Sequence, residues 1–214
     1  MADRHWTKRE FTELDATRWP GECYTILECG CGVGNFIFPL LEQHANVRAF
    51  ACDFSHRAVD FVNERSAENS LSDRLTAFQA DLTSDDLSIN VARESCDLVT
   101  MIFVLSAIHP AKFNMTINSL VSVLKPGGKL LFRDYAINDH AMVRFKPGAK
   151  IDERMYMRQD GTRSFFFKKE ELEELANECG LTVQSIGYCQ RATINKKEGI
   201  EVKRWFLQAT LVKT

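Results

Sequence analysis

A chain of 214 residues with 45% hydrophobic content is long enough for one α/β domain with a full core, and too apolar to stay disordered. Its net charge of −2 gives no overall pull toward nucleic acid, no apolar run reaches the length of a membrane span, and the opening Met1–Trp6 lacks the apolar core of a secretion signal. The seven cysteines (Cys23, Cys29, Cys31, Cys52, Cys96, Cys179, Cys189) are odd in number and lack C-x-x-C spacing, so they read as reduced buried thiols and not as a disulfide framework or a metal site.

In chain order, residues 1–20 read as an N-terminal helix region, started by the Thr7–Glu10 capping-box spacing and ended by the turn Trp19-Pro20-Gly21. Strands are expected near 24–29, 48–53, 75–80, 97–104 and 129–135, and helices near 34–43, 55–67, 83–91, 111–124 and 168–179. Lys125-Pro126-Gly127-Gly128 is a helix stop. Alternating strands and helices imply a mostly parallel sheet covered on both faces. Two further strands, Leu181 to Arg191 and Val202 to Val212, joined by the polar loop 195–199, suit an antiparallel C-terminal edge. Residues 136–167 break the rhythm with a polar, basic stretch after the fifth strand. That is the carboxyl edge, where ligands sit in open α/β sheets, so the segment reads as a substrate lid within one domain spanning 1–214.

The most telling run is Leu27-Glu28-Cys29-Gly30-Cys31-Gly32-Val33-Gly34-Asn35, a glycine-rich turn between a strand and a helix. Glycines there let a ligand approach the backbone with no Cβ in the way. The spacing is G-x-G-x-G and not the G-x-G-x-x-G of dinucleotide sites, which favours S-adenosylmethionine (SAM). Asp53, ending the second strand run, can accept from a ribose diol. Asp81 and Leu82 end the third, where a carboxylate can take an adenine amino group, and the apolar run through Ile102 can wall the adenine. Charge is uneven despite the neutral total. Arg133 to Lys169 holds nine Lys/Arg against five acids, and a second basic cluster contains Arg191, Lys196, Lys197, Lys203 and Arg204. Such patches attract phosphates, although a solvated charged face is the plainer alternative.

Taken together, several stretches resemble the methyltransferase-like enzymes that make 3-methylcytidine in tRNA anticodon loops. They are Asp3–Thr7, Leu27–Asn35, Ala51–Ser55, Ile102–Ala107, Phe132–Tyr135, Asp139–Met142, Arg158–Ser164 and Asn195–Gly199. The similarity covers nearly the whole chain and is nearest to the single-domain cytosolic branch. It implies a class I SAM-dependent methyltransferase fold, doubly wound and Rossmann-like, with a seven-stranded sheet. It implies SAM as cofactor, S-adenosylhomocysteine as its product, tRNA as substrate, an aminoacyl-tRNA synthetase such as seryl-tRNA synthetase as a partner, and a cytoplasmic location with a nuclear share as the alternative. The family pattern also carries an aromatic-rich segment ahead of the Asp3–Trp6 motif, which this sequence lacks.

The implied cofactor set is Gly30, Gly32, Asp53, Phe54, Asp81, Leu82 and Ile102. The implied substrate set is Arg133, His140, Arg158, Arg163, Lys196 and Lys197. Cytosine N3 already carries a lone pair, so positioning and desolvation should carry catalysis, without a strong base. Methylation leaves a cationic base, which a carboxylate would stabilise. Asp134 is the first candidate and Asp160 the second, with ion pairs to Arg133 or Arg163 as the plainer role for each. Tyr135 is a candidate for stacking on the base, and core packing is its alternative. Two other readings stay open: a small-molecule methyltransferase with the same cofactor site, and a non-catalytic SAM-binding subunit.

Overall fold

The computed structural model describes residues 11–15, 19, 23–195 and 200–214. Five parallel strands come first: β1 (Tyr24–Cys29), β2 (Val47–Asp53), β3 (Leu75–Gln79), β4 (Cys96–Ile102) and β5 (Leu124–Tyr135). Two long strands, β9 (Leu181–Asn195) and β10 (Ile200–Lys213), complete a seven-stranded sheet in the order β3-β2-β1-β4-β5-β10-β9. In this sheet only β10 runs against the others, pairing antiparallel with β5 from Phe206↔Tyr135 to Val212↔Lys129 and with β9 on its other side. Ile26, Leu27, Leu98, Val99, Leu130 and Leu131 are all buried, as strands covered on both faces require. The sheet reverses its winding between β1 and β4, and the carboxyl ends of those strands open the crevice where such sheets hold ligands.

The covering helices are α1 (Ile37–Gln43), α2 (His56–Glu68), α3 (Phe113–Val123) and α5 (Lys169–Glu178), with the short α4 (His140–Val143) after β5. Helix α2 starts at Ser55, whose hydroxyl accepts from Ala58 N, and buries Val59 and Val62. Helix α5 carries Glu170 and Glu171 in its first turn, where the helix dipole favours negative charge, and buries Leu172, Leu175 and Ala176.

Several boundaries differ from the sequence reading, β5 for one starting at Leu124 and not at 129, and three of the differences have a plain local cause. The helix expected at 83–91 is only a 3-10 turn, Leu87–Ile89. Asp81 accepts from Thr83 N and Thr83 Oγ1, and Asp86 accepts from Ser88 N, so short polar side chains divert the backbone into turns. The first helix starts at Ile37 and not at residue 34, because Gly34 sits at φ +77°. Strand β4 ends at Ile102, because Phe103 turns the chain at φ +60°.

Residues 136–167 hold more structure than a polar loop. Besides α4 they form a three-stranded antiparallel sheet, β6 (Lys150–Asp152), β7 (Met155–Met157) and β8 (Arg163–Phe165). Phe165, Phe166 and Phe167 are buried, and Phe167 packs edge-on to Phe132 of β5 at 5.3 Å. The segment is therefore anchored to the main core at its return end. Near the N-terminus, Phe11 precedes the 3-10 turn Thr12–Leu14, and Phe11 and Leu14 are buried in the cluster that holds Tyr24 and Ile26 of β1. The expected capping box at Thr7–Glu10 and the loop lysines Lys196 and Lys197 lie outside the described residues.

Candidate active site

At the crevice, the glycine turn and Asp53 form one unit. Gly32 adopts φ +53°, and its N–H donates to Asp53 Oδ2 at 2.8 Å, while Ser55 N donates to Asp53 Oδ1 at 2.9 Å. Each carboxylate oxygen keeps a second lone pair for a ligand hydroxyl. A Cβ built on Gly32 would meet nothing within 4 Å, so its free face opens on the crevice. Gly30 is required for a different reason: a Cβ there would come within 2.4 Å of Val104 Cγ2, so β1 and the turn after β4 approach backbone to side chain. Phe54, next to Asp53, is 72% exposed, a large ring left on the surface beside a carboxylate. Asp81 is held below the usual carboxylate range by its hydrogen bonds from Thr83, and Leu82 is buried beside it.

Ile102 departs from its expected role. It packs into the core with Ile37 and Leu131, because the alternation along β4 turns it inward, and the ring at the strand end belongs to Phe103. Glu28, one residue before the end of β1, is buried as well.

Across β4 lies Asp134. It is fully buried, with Ser106 N donating to Oδ2 and Tyr135 N donating to Oδ1, each at 2.9 Å. Burial pushes its carboxyl up to about 6, against the lowering effect of those hydrogen bonds. Asp134 thus sits inside the wall of the crevice, and any effect on a ligand passes through Ser106 and Tyr135 or through space.

Tyr135 is crowded. Phe103 lies 5.1 Å away and Phe206 6.1 Å away, while the guanidinium groups of Arg158 and Arg204 lie 4.8 and 5.7 Å from its ring centroid. Arg158 also donates to Ser164 Oγ, which fixes it to the hairpin β7–β8. Asp139 is fully buried and takes a bidentate grip from Arg204, joining the start of α4 to β10.

The remaining candidates separate into two groups. His140, Arg158 and Asp160 line a cavity of about 1050 Å³ together with Arg144, Phe145, Lys146 and Arg204. Asp160 stands at the exposed hairpin tip, where Oδ1 accepts from both Thr162 N and Thr162 Oγ1, so its main task is to shape the turn. Arg163 is exposed at the start of β8. Arg133 is the clear departure: it is buried, donates to Gln208 Oε1 and lies 4.9 Å from the Phe206 ring. It braces β5 against β10 and does not reach the surface, because alternation on β5 aims it into the sheet's packed face.

Sequence reasoning singled out neither Phe103 nor Phe206, and it placed Arg204 only in a basic cluster, without its grip on Asp139. Phe206 and Arg204 could have been found from the strand register, since an antiparallel β10 places position 206 opposite Tyr135. No sequence signal marked the left-handed turn at Phe103.

The sequence matches the family described as a methyltransferase domain over residues 27–130. It is 53% identical to tRNA N(3)-cytidine methyltransferase METTL6 of Rattus norvegicus, covering 97% of this chain and 72% of that protein. The Homo sapiens METTL6 is 49% identical over 99% of this chain and 74% of its own length. The tRNA N(3)-methylcytidine methyltransferase trm141 of Schizosaccharomyces pombe is 42% identical over 96% and 83%. Among solved structures, a SAM-dependent methyltransferase from Methanosarcina mazei superposes with a TM-score of 0.72 at 17% identity, covering 100% of this chain and 99% of that one. That likeness speaks for the fold alone.

Proposed function

The chain belongs to the family of tRNA N(3)-cytidine methyltransferases, and from that membership we propose that it transfers a methyl group from SAM to N3 of a cytidine in a tRNA anticodon loop. The observation that carries the reading is the carboxyl edge of the sheet, which holds the Gly32–Asp53 clasp at one strand end and, at another, Tyr135 with Asp134 buried behind it and Arg158 and Arg204 beside its ring.

The residues present fit SAM. The open face of Gly32 admits the amino-acid end, Asp53 has lone pairs for the ribose hydroxyls, and exposed Phe54 with Asp81 and Leu82 offers a flat apolar bed and an acceptor for adenine. When bound, SAM supplies an electrophilic methyl on a sulfonium. Everything else asked of the protein is positioning. Neutral cytosine presents N3 as a lone pair, so the side chains need only hold the base in line and keep water away. The product base is cationic, and ionised Asp134 behind Tyr135 and Ser106 lowers the energy of that charge. Carbon-5 chemistry would need a thiolate nucleophile. Cys29 and Cys52 are buried on adjacent strands, burial pushes the Cys31 thiol up, and Cys96 begins β4 at the opposite edge.

The RNA face in this reading is the basic cavity of Arg144, Lys146, Arg158 and Arg204, with residues 136–167 acting as a lid over the bound loop. A seryl-tRNA synthetase partner and a cytoplasmic location belong to the same proposal. Nucleoside mass spectrometry of tRNA incubated with the protein and SAM tests it. The expected product is 3-methylcytidine without a covalent enzyme–RNA species. A methyl group at carbon 5 or on the exocyclic amine would overturn it.

A further inference from the structure

Arg154 occupies the turn between β6 and β7 at φ +57°, in the left-handed region that glycine enters freely and a long side chain enters at a cost. A glycine would make the same turn without strain, so the backbone gives no reason for an arginine there. The side chain gives one. Its two terminal guanidinium nitrogens donate to the two carboxylate oxygens of Glu171, in the first turn of α5. Nη1 also donates to Phe166 O at 3.2 Å, and the guanidinium lies 4.9 Å from the centroid of the Phe165 ring. The backbone closes the same joint, Phe166 N donating to Arg154 O at 3.1 Å. Only 14% of the Arg154 side chain is exposed, so this bidentate pair is held more firmly than a surface ion pair.

That joint stands at one end of a short lever. From it β7 runs out toward Arg158 and β8 returns, the two in register from Met155↔Phe165 to Met157↔Arg163. At the far end Arg158 N donates to Thr162 O and Nη2 donates to Ser164 Oγ, with the guanidinium 4.8 Å from the Tyr135 ring centroid. Strands of three residues make a marginal sheet, and β6 is exposed along its whole length, so the hairpin depends on what it packs against. The return strand leads into Phe167, whose N–H donates to Tyr135 O at 2.9 Å. On the outgoing side Met155 is buried in the core and Arg154 holds α5. Apolar burial of Met155 sets depth without direction, whereas the bidentate pair fixes an angle.

We propose that Arg154 is a positioning residue for RNA binding: its brace on Glu171 sets the angle of the β7–β8 hairpin and thereby the place of Arg158 in the basic cavity. The inference rests on the reading of that cavity as the RNA face. Arg154 itself lines the smaller, acidic cavity, where a phosphate is repelled, so its effect on RNA passes through Arg158.

The test is a double-substitution cycle on the full chain. Arg154→Met keeps bulk and removes the brace, and Glu171, more than a third exposed, can then turn to water so that the fold survives. Glu171→Gln breaks the same brace from its other side. In each variant, amide exchange of residues 155–166 should quicken by about 10-fold or more while β1 to β5 keep their protection. S-adenosylhomocysteine affinity should stay within about 2-fold of wild type, and KM for tRNA should rise about 5-fold or more with kcat within about 2-fold. In an Arg158→Ala background, Arg154→Met should change KM for tRNA by less than about 2-fold, because the residue it acts through is gone. Additive losses in the double variant would overturn the inference, since Arg154 would then act on the fold at large. Unchanged exchange in both single variants would overturn it while leaving the functional reading intact. A wild-type protein that methylates no base in tRNA would bring down that reading, and this inference with it.

Discussion

Asp134 shows how one buried side chain ties stability to chemistry. An unfolded carboxyl ionises near 3.8, and this one near 6 when folded. Between those values the folded state holds more protons, so its contribution to stability is full below about pH 4 and is lost as pH rises through about 6. Wild type should therefore gain roughly 1 kcal/mol between about pH 7.5 and pH 5 that Asp134→Asn does not, read from denaturant midpoints of both proteins. A parallel pH dependence in the two would remove Asp134 as the source. Turnover should run the other way, rising with pH through about 6 in wild type as the carboxylate ionises, and losing that limb in the variant. Asparagine is not a silent replacement. Ser106 N and Tyr135 N each point at one carboxylate oxygen, so an amide must set its own N–H₂ against one of them, at a cost of about 1–3 kcal/mol. Comparison across pH separates charge from geometry where a single-pH measurement would not.

The element that decides the shape of the crevice's outer wall is β10, through Arg204. Asp139 is fully buried and caps α4 by accepting from Ala141 N, while Arg204 grips both its oxygens. Arg204→Met leaves a buried carboxylate without its cation and should cost about 3–5 kcal/mol, whereas Asp139→Asn with Arg204→Met should recover much of the loss. Thermal melts of the single and double variants measure this, and equal melting points for the two would show that the pair is not coupled. The strands β1 to β5 were legible in the sequence because strands buried on both faces read as unbroken apolar runs, and Asp53 was legible because it ends one. Phe206 and the grip of Arg204 on Asp139 were not, since both arise from an antiparallel pairing that joins residues far apart in the chain. The helix expected at 83–91 failed for a local reason: Asp81 and Asp86 bond their own downstream backbone more readily than they extend a helix. Arg133 illustrates the converse error, a charge assigned to the surface that strand alternation carries inside.

At the scale of the whole molecule, a net charge of −2 conceals a separation of sign. Arg144, Lys146, Arg158 and Arg204 border the large cavity beside α4, with Asp160 as the acid among them. Asp152, Glu153, Glu171, Glu174 and Glu178 gather around a separate cavity of about 360 Å³ floored by Phe113, Phe165 and Phe167, with Arg154 as the cation among them. An approaching polyanion is drawn to one side and repelled from the other, which sets its orientation before any specific contact forms. Arg144 and Lys146 are the cations to remove, because both are exposed, whereas Arg158 and Arg204 also hold Tyr135 and Asp139 in place. Arg144→Ala with Lys146→Ala should weaken tRNA binding and lower the slope of log affinity against log salt by about 1–2, one counterion or so per lost phosphate contact. S-adenosylhomocysteine affinity should not change, since the Gly32–Asp53 clasp lies on other elements. An unaltered salt slope would mean that the RNA backbone does not cross this wall and that residues 136–167 cover something other than the anticodon loop.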